Sequence, residues 1–157
     1  MKESLFEAKE ELKRVDHQIY VSLKYTRTVD VLMNCLSRMI DAYSCMVDAL
    51  LKYAVEKKMV KEDFLPSTPL ERMNFARDLF KDPIVQTNMD LYALMRKIVK
   101  TNPKKEQEFR RHVTLRTIVD GKEFLVNIDI ITSYYDSMKE FYEWIEQIDQ
   151  VKENSNI

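Results

Sequence analysis

The chain has 157 residues, 45% hydrophobic and 32% charged, with a formal net charge of −1. Length and composition suit one domain with a real core and exclude a disordered chain. The near-zero net charge excludes a molecule drawn as a whole to nucleic acid or membrane, and no uncharged run approaches the ~18 residues of a membrane span. One Gly and four Pro leave few helix breakers, so long helices are expected.

The first helix is expected from residue 3 to about 25. Leu5, Ala8, Leu12, Val15, Ile19 and Leu23 form its apolar seam. The opening MKESLFEAKEEL carries early acids and no apolar signal region, so no export signal is expected. Asp16 falls at the seam edge, beside His17 and one turn before Tyr20. A carboxylate near a core must pair or shift its pKa. Asp16, His17 and Tyr20 are thus either a small polar site or a helix-pairing Asp–Tyr hydrogen bond beside a surface histidine.

Residues 28–58 form the central helix. Leu32, Leu36, Met39, Tyr43, Met46, Leu50 and Tyr53 repeat at steps of four and three. A second stripe holds Ile40, Val47 and Ala54, and a third holds Cys35, Ala42 and Ala49. Three adjacent stripes need at least two neighbouring helices. One continuous helix over residues 3–58 would run about 84 Å, too long for this chain, so Thr26-Arg27-Thr28 is the expected break. Thr28 can cap the central helix, and the two helices then form an antiparallel hairpin. Asp41 and Asp48 lie on one polar line, either a cation or acid/base pair or a solvated strip with Arg38 and Lys52. Cys35 and Cys45 are about 15 Å apart on this helix, too far for a disulfide, which points to a reducing cytoplasm.

A connector over 59–67 leads to Thr68-Pro69-Leu70-Glu71, a capping box that opens a helix reaching about Phe80. Asp82-Pro83 repeats the device and starts a helix to about Val99. Residues 96–116 then hold eight Lys and Arg against Glu106 and Glu108, net +6, with Phe109 and His112 interleaved. Lys100, Lys104, Lys105, Arg110, Arg111 and Arg116 are the candidate anion- or nucleic-acid-binding residues.

Residues 113–128 form the one β-hairpin, turning at Asp120-Gly121. The register sets Val119 against Lys122, Thr117 against Phe124, Leu115 against Val126 and Val113 against Ile128. One face is mostly apolar; Thr114, Arg116, Glu123 and Asn127 lie on the other. The last helix runs from about Asn127 or Asp129 to about residue 152, with Ile131, Tyr134, Tyr135, Met138, Phe141, Tyr142, Ile145 and Ile148 inward, and residues 153–157 are expected to fray. Its seven acids against two bases could absorb part of the basic patch, and its Tyr and Trp could mark a partner surface.

The stretch RVDHQIYVSLKYTRTVDVL, followed by a long apolar helix, resembles a group of small uncharacterised archaeal helical proteins, which implies a similar helical fold and carries no activity with it. The chain is also similar in pattern to HEPN-type helical bundles, which bind or cut RNA and pair with partner proteins. Their nucleases need an Arg followed after four to six residues by a His. Arg14 lies too close to His17, and Arg110 and Arg111 too close to His112, so that chemistry is not expected. No metal spacing, dinucleotide loop or cofactor box is present, and no cofactor is expected.

The sequence thus predicts a mainly α, single-domain bundle of about five helices over residues 1–152, with one hairpin and no membrane contact. It predicts a non-catalytic protein that acts through a protein partner or self-association. The alternative is binding of RNA or another polyanion through residues 96–116. Asp16, His17, Tyr20 and Asp41 form the candidate polar site.

Overall fold

Helix 1 starts as the seam predicts. In the computed structural model α1 spans Lys2–His17 and buries Leu5, Ala8, Leu12 and Val15. It does not continue as a plain α-helix. Gln18–Ser22 is a π-helical turn, and the short α2, Leu23–Tyr25, completes the rod. A π turn adds a residue to the helix circumference. Ile19 and Leu23 stay buried through it, while Tyr20 and Val21 stand in solvent.

The chain breaks at residues 26–28, and α3 follows as Val29–Glu56. Thr28 Oγ1 accepts from the Val31 N–H at 3.2 Å, the expected N-cap. All seven residues of the main stripe are buried, as are Cys35, Ala42 and Ala49. The α1/α3 hairpin is antiparallel: the Met1 ammonium meets Glu56 Oε1 at 3.0 Å, and Lys52 Nζ donates to Ser4 Oγ at 2.8 Å.

A 3-10 turn at Glu62–Phe64 leads to α4, Pro69–Leu79, where Thr68 Oγ1 accepts from the Glu71 N–H. Helix α5, Pro83–Val99, starts at Pro83 as expected, but the Asp82 side chain makes no cap bond; its carbonyl takes the Val85 and Gln86 N–H groups instead. Tyr43 ties these elements together. Its hydroxyl donates to Asn88 Oδ1 of α5 at 2.7 Å, and its ring stacks on Tyr92 at 5.4 Å between centroids.

The β element is larger than the expected hairpin. Strands β1 (Lys104–Glu106), β2 (Thr114–Val119) and β3 (Lys122–Val126) form one antiparallel sheet in the order β1-β2-β3. The register from Val119–Lys122 to Leu115–Val126 is as predicted, and Asp120 and Gly121 both take positive φ at the turn. The Val113–Ile128 pair is absent, because Ile128 is already the first residue of α6, Ile128–Ser155. The added strand is polar, and its pairing is fixed by Arg116, which holds Glu106 of β1 and Glu123 of β3. Buried Val113, Leu115, Thr117, Val119 and Val126 face the helices. Lys97 of α5 holds the turn through Asp120 at 2.6 Å.

The structure describes the backbone of residues 1–155 and the side chains of residues 1–150. The expected frayed tail, 153–157, lies outside the described side chains. One cluster of buried residues reaches from Leu5 to Ile145 and uses every helix and the inner sheet face. The chain is mainly α with a small antiparallel sheet. No helix among the described residues is long and apolar enough to cross a membrane.

Candidate functional site

The polar residues singled out on α1 and α3 do not form one cleft. Asp16 accepts a hydrogen bond from the Tyr135 hydroxyl of α6 at 3.0 Å, rather than from neighbouring Tyr20. That bond joins the first and last helices. Burial first, then the Asp16 bond, raises the Tyr135 pKa. His17 is exposed and lines a shallow surface cavity with Glu10, Lys13, Arg14, Gln18 and Arg38. Asp41 is exposed elsewhere, among the carboxylates that act on Cys45. Asp48 is held by Arg72 of α4 at 2.7 Å, so the Asp41–Asp48 line is half consumed by helix packing. Among the described residues no group of three metal-ligating side chains converges.

The thiols are equally structural. Burial pushes Cys35 up to about 12; burial and nearby carboxylates push Cys45 up to about 11. Both are free and protonated at neutral pH.

The basic segment divides. Arg116 is spent on Glu106 and Glu123, and Lys105 meets Asp30 at 3.4 Å. The acids of α6 absorb none of these described pairs. Glu106 and Glu108, which dilute the segment's charge in sequence, both have structural tasks. Glu108 Oε1 accepts from the Val29 N–H at 3.1 Å and so caps α3 beside Thr28. Lys100, Lys104, Arg110 and Arg111 make no ion pair with the described residues.

A second anchor lies one residue on. The Phe109 N–H donates to the Arg27 carbonyl at 2.6 Å. Together with the Glu108 bond it fastens the 107–112 loop to the break between α2 and α3. Two segments remote in sequence meet here. Lys24, Tyr25, Arg27 and Phe109 line one surface cleft, with Arg110 and Arg111 following directly. Tyr25 and Phe109 are 77% and 75% exposed, the two most exposed large hydrophobics among the described residues. Phe109 also takes φ +63°, and Gln107 φ +55°. A bulky residue in the left-handed region costs about 1–2 kcal/mol, and here it holds a ring out in water with little packing in return.

Sequence reasoning noted Phe109 among the cations but missed Lys24, Tyr25 and Arg27. The available signal was local: Tyr25 falls off the Leu23 seam and is flanked by Lys24 and Arg27.

The fold is thus a mainly α assembly whose small sheet carries a basic, aromatic loop. No family model, curated protein or solved structure matches the chain. The expected resemblances to archaeal helical proteins and to HEPN-type bundles rest on sequence pattern alone.

Proposed function

We propose that this chain is a binding protein for single-stranded nucleic acid, held across Lys24, Tyr25, Arg27, Phe109, Arg110 and Arg111. The observation that carries the reading is the pair of solvent-exposed rings in one cleft with cations, one of them held there on a strained backbone. Single strands are bound by cations that follow the phosphates and aromatic faces on which bases stack. The free cations of the basic segment and the structural use of both its acids favour the same reading. It narrows the candidate set to Arg110 and Arg111, leaves out Lys100, and removes Lys105 and Arg116 as paired and Lys104 as part of a different cavity beside Thr101 and Glu123.

The test is fluorescence anisotropy with a labelled single strand and the duplex of the same sequence at low salt. The single strand binds more tightly, and four phosphate contacts give a slope of log K against log salt of about −3. Absence of binding at low salt, or binding indifferent to Tyr25→Ala and Phe109→Ala, overturns the reading.

A protein partner is the second reading, and one surface favours it. Ile118 and Leu125 are exposed apolar side chains on the outer face of the sheet, and β3 is a sheet edge. The aromatic α6 supports it less, since Tyr135 and Phe141 are buried and Trp144 stacks on Phe141. A light-scattering mass equal to one chain, together with unchanged solubility of Ile118→Lys, counts against self-association through this face.

A further inference from the structure

Behind Arg27 lies a separate recess of about 240 Å³, lined by Arg27, Arg111, His112, Asn127, Ile128 and Asp129. Arg27 therefore stands between this recess and the aromatic cleft, lining both. Its Nε is buried and has no hydrogen-bond partner among the described residues. That atom is closed to solvent and to any ligand in the recess, so Arg27 enters the recess as a lining cation rather than through Nε.

The floor adds further donors. Helix α6 starts at Ile128. Asn127 serves two of its first-turn donors, taking the Ile130 N–H on Oδ1 at 2.9 Å and the Ile131 N–H on its carbonyl. The N–H groups of Ile128 and Asp129 have no acceptor among the described residues. Two guanidinium groups, an imidazole and a helix N-terminus thus face one exposed carboxylate, Asp129. That balance suits a tetrahedral oxyanion with several acceptor oxygens.

From this geometry we infer that the recess seats one phosphate group, held by Arg27, Arg111 and the open amides of α6. This deepens the proposed function and rests on it for the source of the phosphate. The source is either an internal phosphodiester of the bound strand or a monoester at its end.

Two measurements test it. In the first, inorganic phosphate is titrated into the protein and followed by amide and Arg side-chain NMR. The Ile128 and Asp129 amides and the Arg27 guanidinium signals shift and saturate at millimolar phosphate, Arg111→Gln weakens this about tenfold, and Asp129→Asn tightens it. The Asp129→Asn gain cannot come from misfolding. Failure of these signals to move in a folded protein, or Asp129→Asn without effect, overturns the inference. In the second, strands with a 5′-phosphate, a 3′-phosphate or neither are compared by anisotropy. Preference for one phosphorylated end assigns the monoester. Equal binding, lost in Arg27→Gln and Arg111→Gln, assigns the diester. Wild-type affinity of both variants for all three strands overturns the phosphate seat and leaves the single-strand reading on Lys24, Tyr25, Phe109 and Arg110 alone. Phosphate-induced shifts without binding of any strand uphold the seat and overturn that reading.

Discussion

The Phe109 amide and the Arg27 carbonyl, 2.6 Å apart, join the basic loop to the hinge between α2 and α3. The bond fixes a left-handed Phe109 whose ring is three-quarters exposed. Strain and solvation of that ring lower stability, so any gain lies in what it binds. Asn adopts left-handed φ far more readily and keeps the backbone N–H. Phe109→Asn should therefore leave thermal stability equal or raise it, while single-strand affinity falls about fivefold to a hundredfold, the range of one lost base stack. Melting and anisotropy measured on the same sample check both signs. Lower stability with unchanged affinity would mean the ring serves the fold.

Arg116 and Arg111 are both basic residues of one segment, yet they should behave oppositely. Arg116 bridges Glu106 and Glu123 across all three strands, and this contact, by lending the guanidinium two carboxylate hydrogen bonds, raises its pKa. Both pairs are solvent-screened and add little to global stability. Arg116→Ala should leave global stability nearly unchanged, speed hydrogen exchange in β1, and leave strand affinity alone. Arg111→Ala should leave β1 protected and weaken binding. Exchange mass spectrometry and anisotropy separate the two. Equal losses of affinity would return Arg116 to the binding surface.

The parts of the fold that were legible in sequence are those set by local period or local chemistry. The three stripes of α3, the Thr28 and Thr68 caps and the Asp120-Gly121 turn each depend on residues within a few positions of one another. Strand β1 carries no such signal: Lys104-Lys105-Glu106 is polar throughout and becomes a strand through Arg116 on β2. The π turn is hidden too, since Ile19 and Leu23 keep a four-residue step across it. The candidate site was least legible. Tyr135 reaches Asp16 across 119 residues, and Phe109 meets Arg27 only because the sheet returns the chain to the hinge. Charge counting marked the basic segment, but pairing decides which cations stay free, and pairing is tertiary.

Burial of ionisable thiols and phenols gives the protein an alkaline weakness. Cys35 is fully buried, and desolvation lifts it from an ordinary 9.0 to about 12. Tyr43, ordinarily at 10.0, is also raised by burial, as are Tyr92 and Tyr134. Above pH 9.0 the unfolded chain releases protons that the native chain keeps. The native state then binds more protons, so stability is full below that pH and falls as pH rises. Each such group contributes a slope of about 1.4 kcal/mol per pH unit in its window. Urea midpoints should drop between about pH 8 and about pH 11, with the tyrosinate absorbance of buried Tyr43, Tyr92 and Tyr134 appearing only on unfolding. Cys35→Ala should flatten the first part of that fall. A midpoint independent of pH over this range would show that these groups titrate as freely in the native state as in the unfolded chain.

The Tyr43–Asn88 bond commits a buried polar group of α3 to another helix. Tyr43 Oη donates to Asn88 Oδ1 at 2.7 Å, and Asn88 Nδ2 donates onward to the Ile84 carbonyl at 2.8 Å within α5. Tyr43→Phe keeps the ring stacked on Tyr92 but strands the Asn88 oxygen in the core, a cost of about 1–3 kcal/mol. Asn88→Leu strands the Tyr43 hydroxyl instead and adds a shape mismatch. With both changed, neither orphan remains, so the double variant should be less destabilised than the sum of the singles by about 0.5–3 kcal/mol. Urea unfolding of the four proteins closes the cycle, and strict additivity would show that the bond couples nothing. Neither residue lines the aromatic cleft or the phosphate recess, so every variant that still folds should bind single strands with wild-type affinity. Loss of binding in Tyr43→Phe would instead mean that the α3–α5 contact sets the position of the hinge at Arg27, from which both candidate sites are built.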